Sequence, residues 1–295
     1  MKFFVIDGSG FLYRAYYAFP PLTDKDGHNT NVIYWFFRML FKIFQEKPDY
    51  LVIAWDAPVK TIRHDAFPEY KANRKKMDDD FKHQIPVTKE IVEALGIPFI
   101  TVDGYEADDI IASLVRTNQH DSNLIIDIYS SDKDLKQLLD TNVFEIDPIK
   151  WIRTDTKLFL QEFLFEPKYI LDYLALVGDS SDNIKWVTWI GPKKASDLIK
   201  KYQSLDAIYA HIDEISGEVK QKLIDGKADA YRSRDLIQLH QIASLDEKKM
   251  SDFVLDLDYE KAKKVLVGTY GFASFEKLLD ELKKKVQTPV QSSLF

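Results

Sequence analysis

Apolar residues in this chain come in two rhythms over its first half and in one over its second. Phe3-Phe4-Val5-Ile6 and Tyr50-Leu51-Val52-Ile53-Ala54-Trp55 are short unbroken runs, the pattern of strands buried on both faces. Each run ends in an acid: Asp7, where the following Gly8 reads as a tight loop, and Asp56. Residues 31–45 instead carry apolar positions at helical spacing and stop before Pro48. The same alternation predicts a helix over 86–95 closed by Gly96, strands over 98–102, 124–129 and 143–146, and a helix opening near Glu106. Together these give an α/β domain over 1–167, a twisted, mostly parallel sheet flanked by helices. After Pro167 the strand signal fades. Helices are expected at 169–176, 193–202, 205–212, 217–224, 228–239, 259–267 and 274–285, an all-helical domain over 168–285, and the tail 286–295 has no periodicity.

Acids cluster where this pattern turns. Glu106, Asp108 and Asp109 open a helix whose apolar face is Ile110, Ile111 and Leu114, and acidic groups favour that end of a helix in any case. Asp7 and Asp56 end strands, Asp132 and Asp134 follow the 124–129 strand, and Asp179 and Asp182 sit in Gly178-Asp179-Ser180-Ser181-Asp182-Asn183. Strand C-termini of an open α/β sheet line one crevice, so these residues are expected to converge. So many carboxylates repel one another unless cations neutralise them, and an all-oxygen set suits Mg²⁺ or Mn²⁺. Two such ions roughly 4 Å apart activate water and stabilise both oxygens of an in-line phosphoryl displacement. Asp7, Glu106, Asp108, Asp132 and Asp134 are the first candidates as ligands, with Asp56, Asp109, Asp179 and Asp182 beside them.

Between the second and third strands, residues 63–76 are basic and interleaved with aromatics, a composition that suits phosphate contacts and base stacking. Lys71 and Arg74 are placed to hold phosphates over the acidic crevice. Further on, Gly191 precedes a helix carrying Lys193 and Lys194, whose first amides offer a phosphate site.

Composition narrows the classes. The chain has 295 residues, 45% hydrophobic and 29% charged, which describes a folded globular protein. Zero cysteines exclude disulfides, thiolate zinc and a cysteine nucleophile, and fit the cytoplasm. No apolar stretch approaches the roughly 20 residues of a membrane span, so neither export nor membrane association is expected. The six histidines lack metal-ligand spacing, and no Ser/His/Asp order is visible. A net charge of −7 is a weak argument against nucleic acid, because distribution matters more than the sum.

In combination and in this order, Val5-Ile6-Asp7-Gly8, Trp55-Asp56, Glu69-Tyr70-Lys71-Ala72-Asn73-Arg74, Gly104-Tyr105-Glu106-Ala107-Asp108-Asp109, Asp132-Lys133-Asp134-Leu135 and Gly178-Asp179-Ser180-Ser181-Asp182-Asn183 resemble the 5′ nuclease of bacterial DNA polymerase I. The stand-alone relatives of that nuclease, the flap endonuclease group, share the set. The resemblance implies a flap-nuclease or PIN-like α/β domain and metal-dependent 5′-3′ exonuclease and flap endonuclease activity in primer removal and repair. Its substrates would be branched or flapped DNA and RNA-primed DNA, and the enzyme a monomer. It implies a helical arch over about 63–82, with Lys71 and Arg74 steering the scissile phosphate and Tyr70 stacking on a base. It adds DNA contacts by Arg63, Gly191, Lys193 and Lys194, and a helix-hairpin-helix element in the helical domain with a K⁺ ion. No polymerase domain follows, so a stand-alone enzyme or an excised domain is expected. Two alternatives stand beside it: a DNA-junction binder without catalysis, and a PIN-like ribonuclease.

One departure concerns the hairpin before Gly191, where Trp186 and Trp189 stand at the family's glycine positions, as Trp35 does in the 31–45 helix. Only 11 glycines occur, against an average usage of about 7%. We expect some of these tryptophans to be glycine codons, UGA read with the wrong table. Finally, Gln291-Ser292-Ser293-Leu294-Phe295 resembles the peptide by which bacterial replication proteins dock on the sliding clamp: Gln291 makes a polar contact while Leu294 and Phe295 fill an apolar pocket.

Overall fold

The computed structural model describes residues 1–287. In chain order the strands are β1 (Lys2–Asp7), β2 (Tyr50–Trp55), β3 (Phe99–Thr101), β4 (Ile125–Tyr129), β5 (Val143–Ile146) and β6 (Arg153–Thr154). The helices are α1 (Gly8–Tyr17), α2 (Asn31–Phe44), α3 (Ile62–Ala66), α4 (Asp79–Ala94), α5 (Ala107–Asn118), α6 (Thr156–Phe163), α7 (Ile170–Val177), α8 (Pro192–Tyr202), α9 (Leu205–Ala210), α10 (Gly217–Asp225), α11 (Lys227–Ile237), α12 (Tyr259–Ala262) and α13 (Ser274–Gln287). Pairing is parallel in β1–β2 and β4–β5 and antiparallel in β5–β6, a mixed α/β sheet with flanking helices. No described helix is long and apolar enough to cross a membrane.

The chain packs as two compact units that cut across the sequence division at residue 167. One holds Met1–Trp55, Met77–Ile100 and the chain from Lys248; the other holds Asp56–Lys76 and Thr101–Glu247. In the first, β1 and β2 run in register from Phe3 opposite Tyr50 to Asp7 opposite Ala54. The apolar stripe of α2 covers them, with the Phe36 ring stacked on Trp55 at 5.5 Å. The C-terminal return joins this core because Tyr34 packs on Phe272 and Phe275 and shares a 3.0 Å hydrogen bond with Ser274.

Two local expectations change here. The tight loop expected at Gly8 is the first turn of α1, capped by Asp7 Oδ1 accepting from Gly10 N at 2.7 Å. A Cβ on Gly8 would lie 2.5 Å from Ile53 and Trp55, so glycine is needed there for close packing rather than for a turn. The helix expected from 86 begins at Asp79, with Pro86 inside it. Buried Phe81, Gln84 and Thr88 hold the helix through the proline, and Gln84 Oε1 accepts from Val32 N at 2.9 Å.

In the second unit α7, apolar on nearly every side, is the centre of the helical core, and Tyr70, Phe159, Ile184, Val187, Ile190 and Leu236 belong to the same cluster. Gly178 ends α7 at φ +66, and a Cβ there would meet the Ile184 carbonyl at 2.7 Å. Asp179 and Ile184 exchange backbone hydrogen bonds of 2.9 and 2.7 Å, which closes and fixes the acidic loop between them.

Candidate active site

Two helix N-termini and two loops of the second unit build the site. Asp56, just past β2, accepts from Ala107 N at 2.8 Å through Oδ1, so it satisfies one of the open amides at the start of α5. Glu106 is the residue before α5, and its side chain is ringed by donors. Tyr70 OH donates to Oε2 at 3.0 Å, Lys71 Nζ donates to Oε1 at 2.7 Å, and Arg63 Nη1 lies 3.4 Å from Oε2. Asp108, in the first turn of α5, is half-buried.

Asp109 has a different environment from its neighbours. It is fully buried and pairs bidentately with Arg63, Nη1 to Oδ2 at 2.6 Å and Nη2 to Oδ1 at 2.8 Å. It also accepts from the backbone amides of Glu106 and His240. Burial pushes its carboxyl up, but the Arg63 hydrogen bonds and charge outweigh this and hold it below the usual range. Arg63 in turn donates to the carbonyls of Leu236 and Gln238. Both groups are engaged by protein: Asp109, expected as a metal ligand, and Arg63, expected as a DNA contact, pair with each other, and the pair ties α5 to the end of α11.

Tyr70, expected to stack on a base, is turned inward. Only 4% exposed, it lies in the helical core and points its hydroxyl at Glu106 and, at 3.3 Å, at Asp182 Oδ2. Pro68 follows α3 after one residue, and turns run through 68–74. Lys71 adopts φ +57 with its ammonium turned to Glu106 at 2.7 Å and Asp182 at 3.7 Å. Arg74 Nη2 donates to Asp182 Oδ1 at 2.6 Å.

The remaining acids lie close together. Asp132 Oδ1 accepts from Asp134 N at 2.9 Å, and the charges acting on Asp132 include Asp182, Lys71 and Asp179. Asp179 accepts twice from Ser181 and pairs with Lys133 at 3.2 Å; burial pushes its carboxyl up, yet these partners bring it below the usual range. Asp134 is the exception. Its Oδ1 is buried with no hydrogen-bond partner, and burial together with the Asp132 charge drives its carboxyl well above the ordinary range. A buried carboxylate oxygen without a donor, among Asp132, Asp179 and Asp182, fits a bound cation.

The other expected residues have these settings. Asp7, at the end of β1, caps α1 by accepting from Gly10 N at 2.7 Å. Gly191 precedes α8, and Lys193 and Lys194 are exposed in its first turn, with Lys194 Nζ donating to the Trp189 carbonyl at 3.2 Å. Trp186 and Trp189 are half or more exposed and line a cleft of about 810 Å³ with Tyr173, Asp179 and Gly191. Gln291, Leu294 and Phe295 lie outside the described residues. Among the described residues, Asp24, Asp26 and His28 bring one ligand atom each within 4.8 Å of one another. No metal-ligand spacing is legible there, and Asp24 Oδ1 accepts from the amides of Asp26 and His28, an ordinary acid-stabilised turn. Lys133 pairs with Asp179 in this site, and its signal in the chain is its place between Asp132 and Asp134.

A mixed α/β sheet with a crowded acidic site beside a helical domain defines a class of nucleases, and the comparisons agree with it. Residues 2–167 match the 5′-3′ exonuclease N-terminal resolvase-like domain, and residues 165–261 match the 5′-3′ exonuclease C-terminal SAM fold. A 5′-3′ exonuclease of Aquifex aeolicus is 38% identical over 99% of this chain and 99% of its own. DNA polymerase I of Caldicellulosiruptor bescii is 43% identical over 80% of this chain, which spans 28% of that polymerase. The T5 D15 protein co-crystallized with metal ions shares the fold, with TM-score 0.69 over 97% of this chain and 98% of that one, at 17% identity. This chain belongs to the 5′-3′ exonuclease family.

Proposed function

We propose that this protein is a structure-specific 5′ nuclease that hydrolyses phosphodiesters of branched, flapped or RNA-primed DNA. The observation that carries the reading is the donorless, buried Oδ1 of Asp134 within a group of acids. Asp108, Asp132, Asp134, Asp179 and Asp182 would hold divalent cations, Mg²⁺ or Mn²⁺, with Glu106 beside them. When bound, such ions supply an activated water and charge to the leaving oxygen. Lys71 and Arg74 supply the positive charge that draws a phosphate to these acids, and each is now parked on a carboxylate, ready to exchange partners. Tyr70 holds Glu106 and Asp182 in place. Exposed Lys193 and Lys194 at the start of α8 suit a duplex phosphate. The K⁺ expected in the hairpin has less support, since the Trp189 carbonyl already accepts from Lys194.

A 5′-flap duplex incubated with Mg²⁺ tests the reading. Wild type should release the flap with a 5′-phosphate on the product. Asp134→Asn and Asp108→Ala should each lower the rate by about 10³-fold or more. Flap binding without cleavage by wild type would instead identify a junction-binding module, and preference for RNA a ribonuclease. The terminal peptide belongs to the same reading. Deleting residues 291–295 should abolish binding to a bacterial sliding clamp and leave cleavage of short flaps unchanged; equal clamp affinity with and without them refutes it.

A further inference from the structure

Asn73 and Asn183 lie outside the metal-holding and phosphate-drawing set, yet each reaches into the other's loop. Asn73 Nδ2 donates to the Ser180 carbonyl at 2.6 Å, and Asn183 Nδ2 donates to the Glu69 carbonyl at 2.7 Å. Between them Lys71 N donates to the Asp182 carbonyl at 2.9 Å. The basic loop 69–74 and the acidic loop 179–183 are therefore joined by a backbone bond with an amide staple on either side. The acidic loop is itself closed by the Asp179–Ile184 pair, so it is the fixed partner.

Backbone conformation agrees with this assignment. Lys71 and Asn183 both sit in the left-handed region, at φ +57 and +58. Asparagine tolerates that region, whereas lysine keeps it only where surrounding contacts dictate it. The result places Lys71 Nζ on Glu106 and Arg74 on Asp182, the cations that meet a phosphate against the acids that hold metal. We propose that Asn73 and Asn183 are a reciprocal pair of positioning residues that lock the basic loop in register with the acidic loop. This deepens the nuclease reading and rests on it for its catalytic consequence.

The test uses the full chain with Asn73→Ala, Asn183→Gly, which keeps the left-handed backbone, and Asn183→Asp, which keeps the shape and removes the donor. Hydrogen exchange over 69–74 should accelerate by about tenfold or more in each. On a 5′-flap duplex kcat should fall by about tenfold while Mn²⁺ affinity, read by calorimetry, changes by under about twofold. Lys71→Ala should then cost a much smaller factor in the Asn73→Ala/Asn183→Gly background than in wild type, because its ammonium is no longer held in place. Unchanged exchange over 69–74 overturns the proposal, as does an equal cost of Lys71→Ala in both backgrounds. If wild type cleaves no DNA, the nuclease reading fails separately, and the exchange rates alone decide whether the asparagines lock the loops.

Discussion

The guanidinium of Arg63 meets the carboxylate of Asp109 through two parallel hydrogen bonds of 2.6 and 2.8 Å, with 4% of one residue and none of the other exposed. Removing one member leaves a buried charge with no partner, which costs about 3–5 kcal/mol. Asp109→Ala should lose stability of that order in urea denaturation. The loss should appear with or without Mg²⁺, because Asp109 is committed to Arg63.

Asp134 should behave in the opposite sense. Its carboxylate is buried and pushed well above its ordinary range by burial and by Asp132. Asp134→Asn removes that unfavourable charge, so without divalent ions the variant should unfold at a higher temperature than wild type. Added Mg²⁺ stabilises whichever form binds it, by about 2.7 kcal/mol at a hundredfold excess over Kd. Calorimetric scans should show a Mg²⁺-dependent rise for wild type and little for the variant.

Glu145 makes stability depend on pH. Burial pushes its carboxyl up to about 7, against the attraction of Lys136, from an ordinary value of 4.5. The folded form thus holds its proton more tightly than the unfolded form, and that stabilisation is complete below about pH 4.5 and lost as pH rises to about 7. A shift of this size amounts to roughly 3 kcal/mol. Glu145→Gln should flatten the fall in thermal midpoint across that window.

Tyr70→Phe should keep the buried ring and lose the hydroxyl that donates to Glu106 and Asp182. Hydrogen bonds to charged groups contribute about 1.5–3 kcal/mol, so a loss near the lower end is expected in denaturation. Affinity for flap DNA, measured by fluorescence anisotropy, should stay within about twofold, since the ring stays in the helical core.

Two of the unusual tryptophans, Trp189 and Trp35, differ in setting. Trp189 is at φ +70, a region that costs a non-glycine residue about 1–2 kcal/mol, so Trp189→Gly should stabilise the fold. Trp35 lies within α2, stacks on Phe19 at 4.4 Å and donates to the Pro20 carbonyl, so Trp35→Gly should destabilise it. A UGA codon at 189 agrees with glycine there; UGG refutes it.

Sequence by itself determined the strand runs, most helix spans and the acidic motifs, because periodicity and turn residues are local properties of the chain. It also placed Glu106 just ahead of a helix whose first turn carries Asp108 and Asp109. Only the tertiary structure decided which of those acids remain available to a cation. Asp56 caps α5, Asp109 is taken by Arg63 and the backbone near α11, and Asp134 keeps an oxygen without a donor. Tyr70 shows the same limit, since it is buried in a cluster built from distant segments, Phe159, Ile184, Val187 and Leu236 among them. A side chain's type can be read in place, but its partners come from distant segments that only folding brings within hydrogen-bond reach.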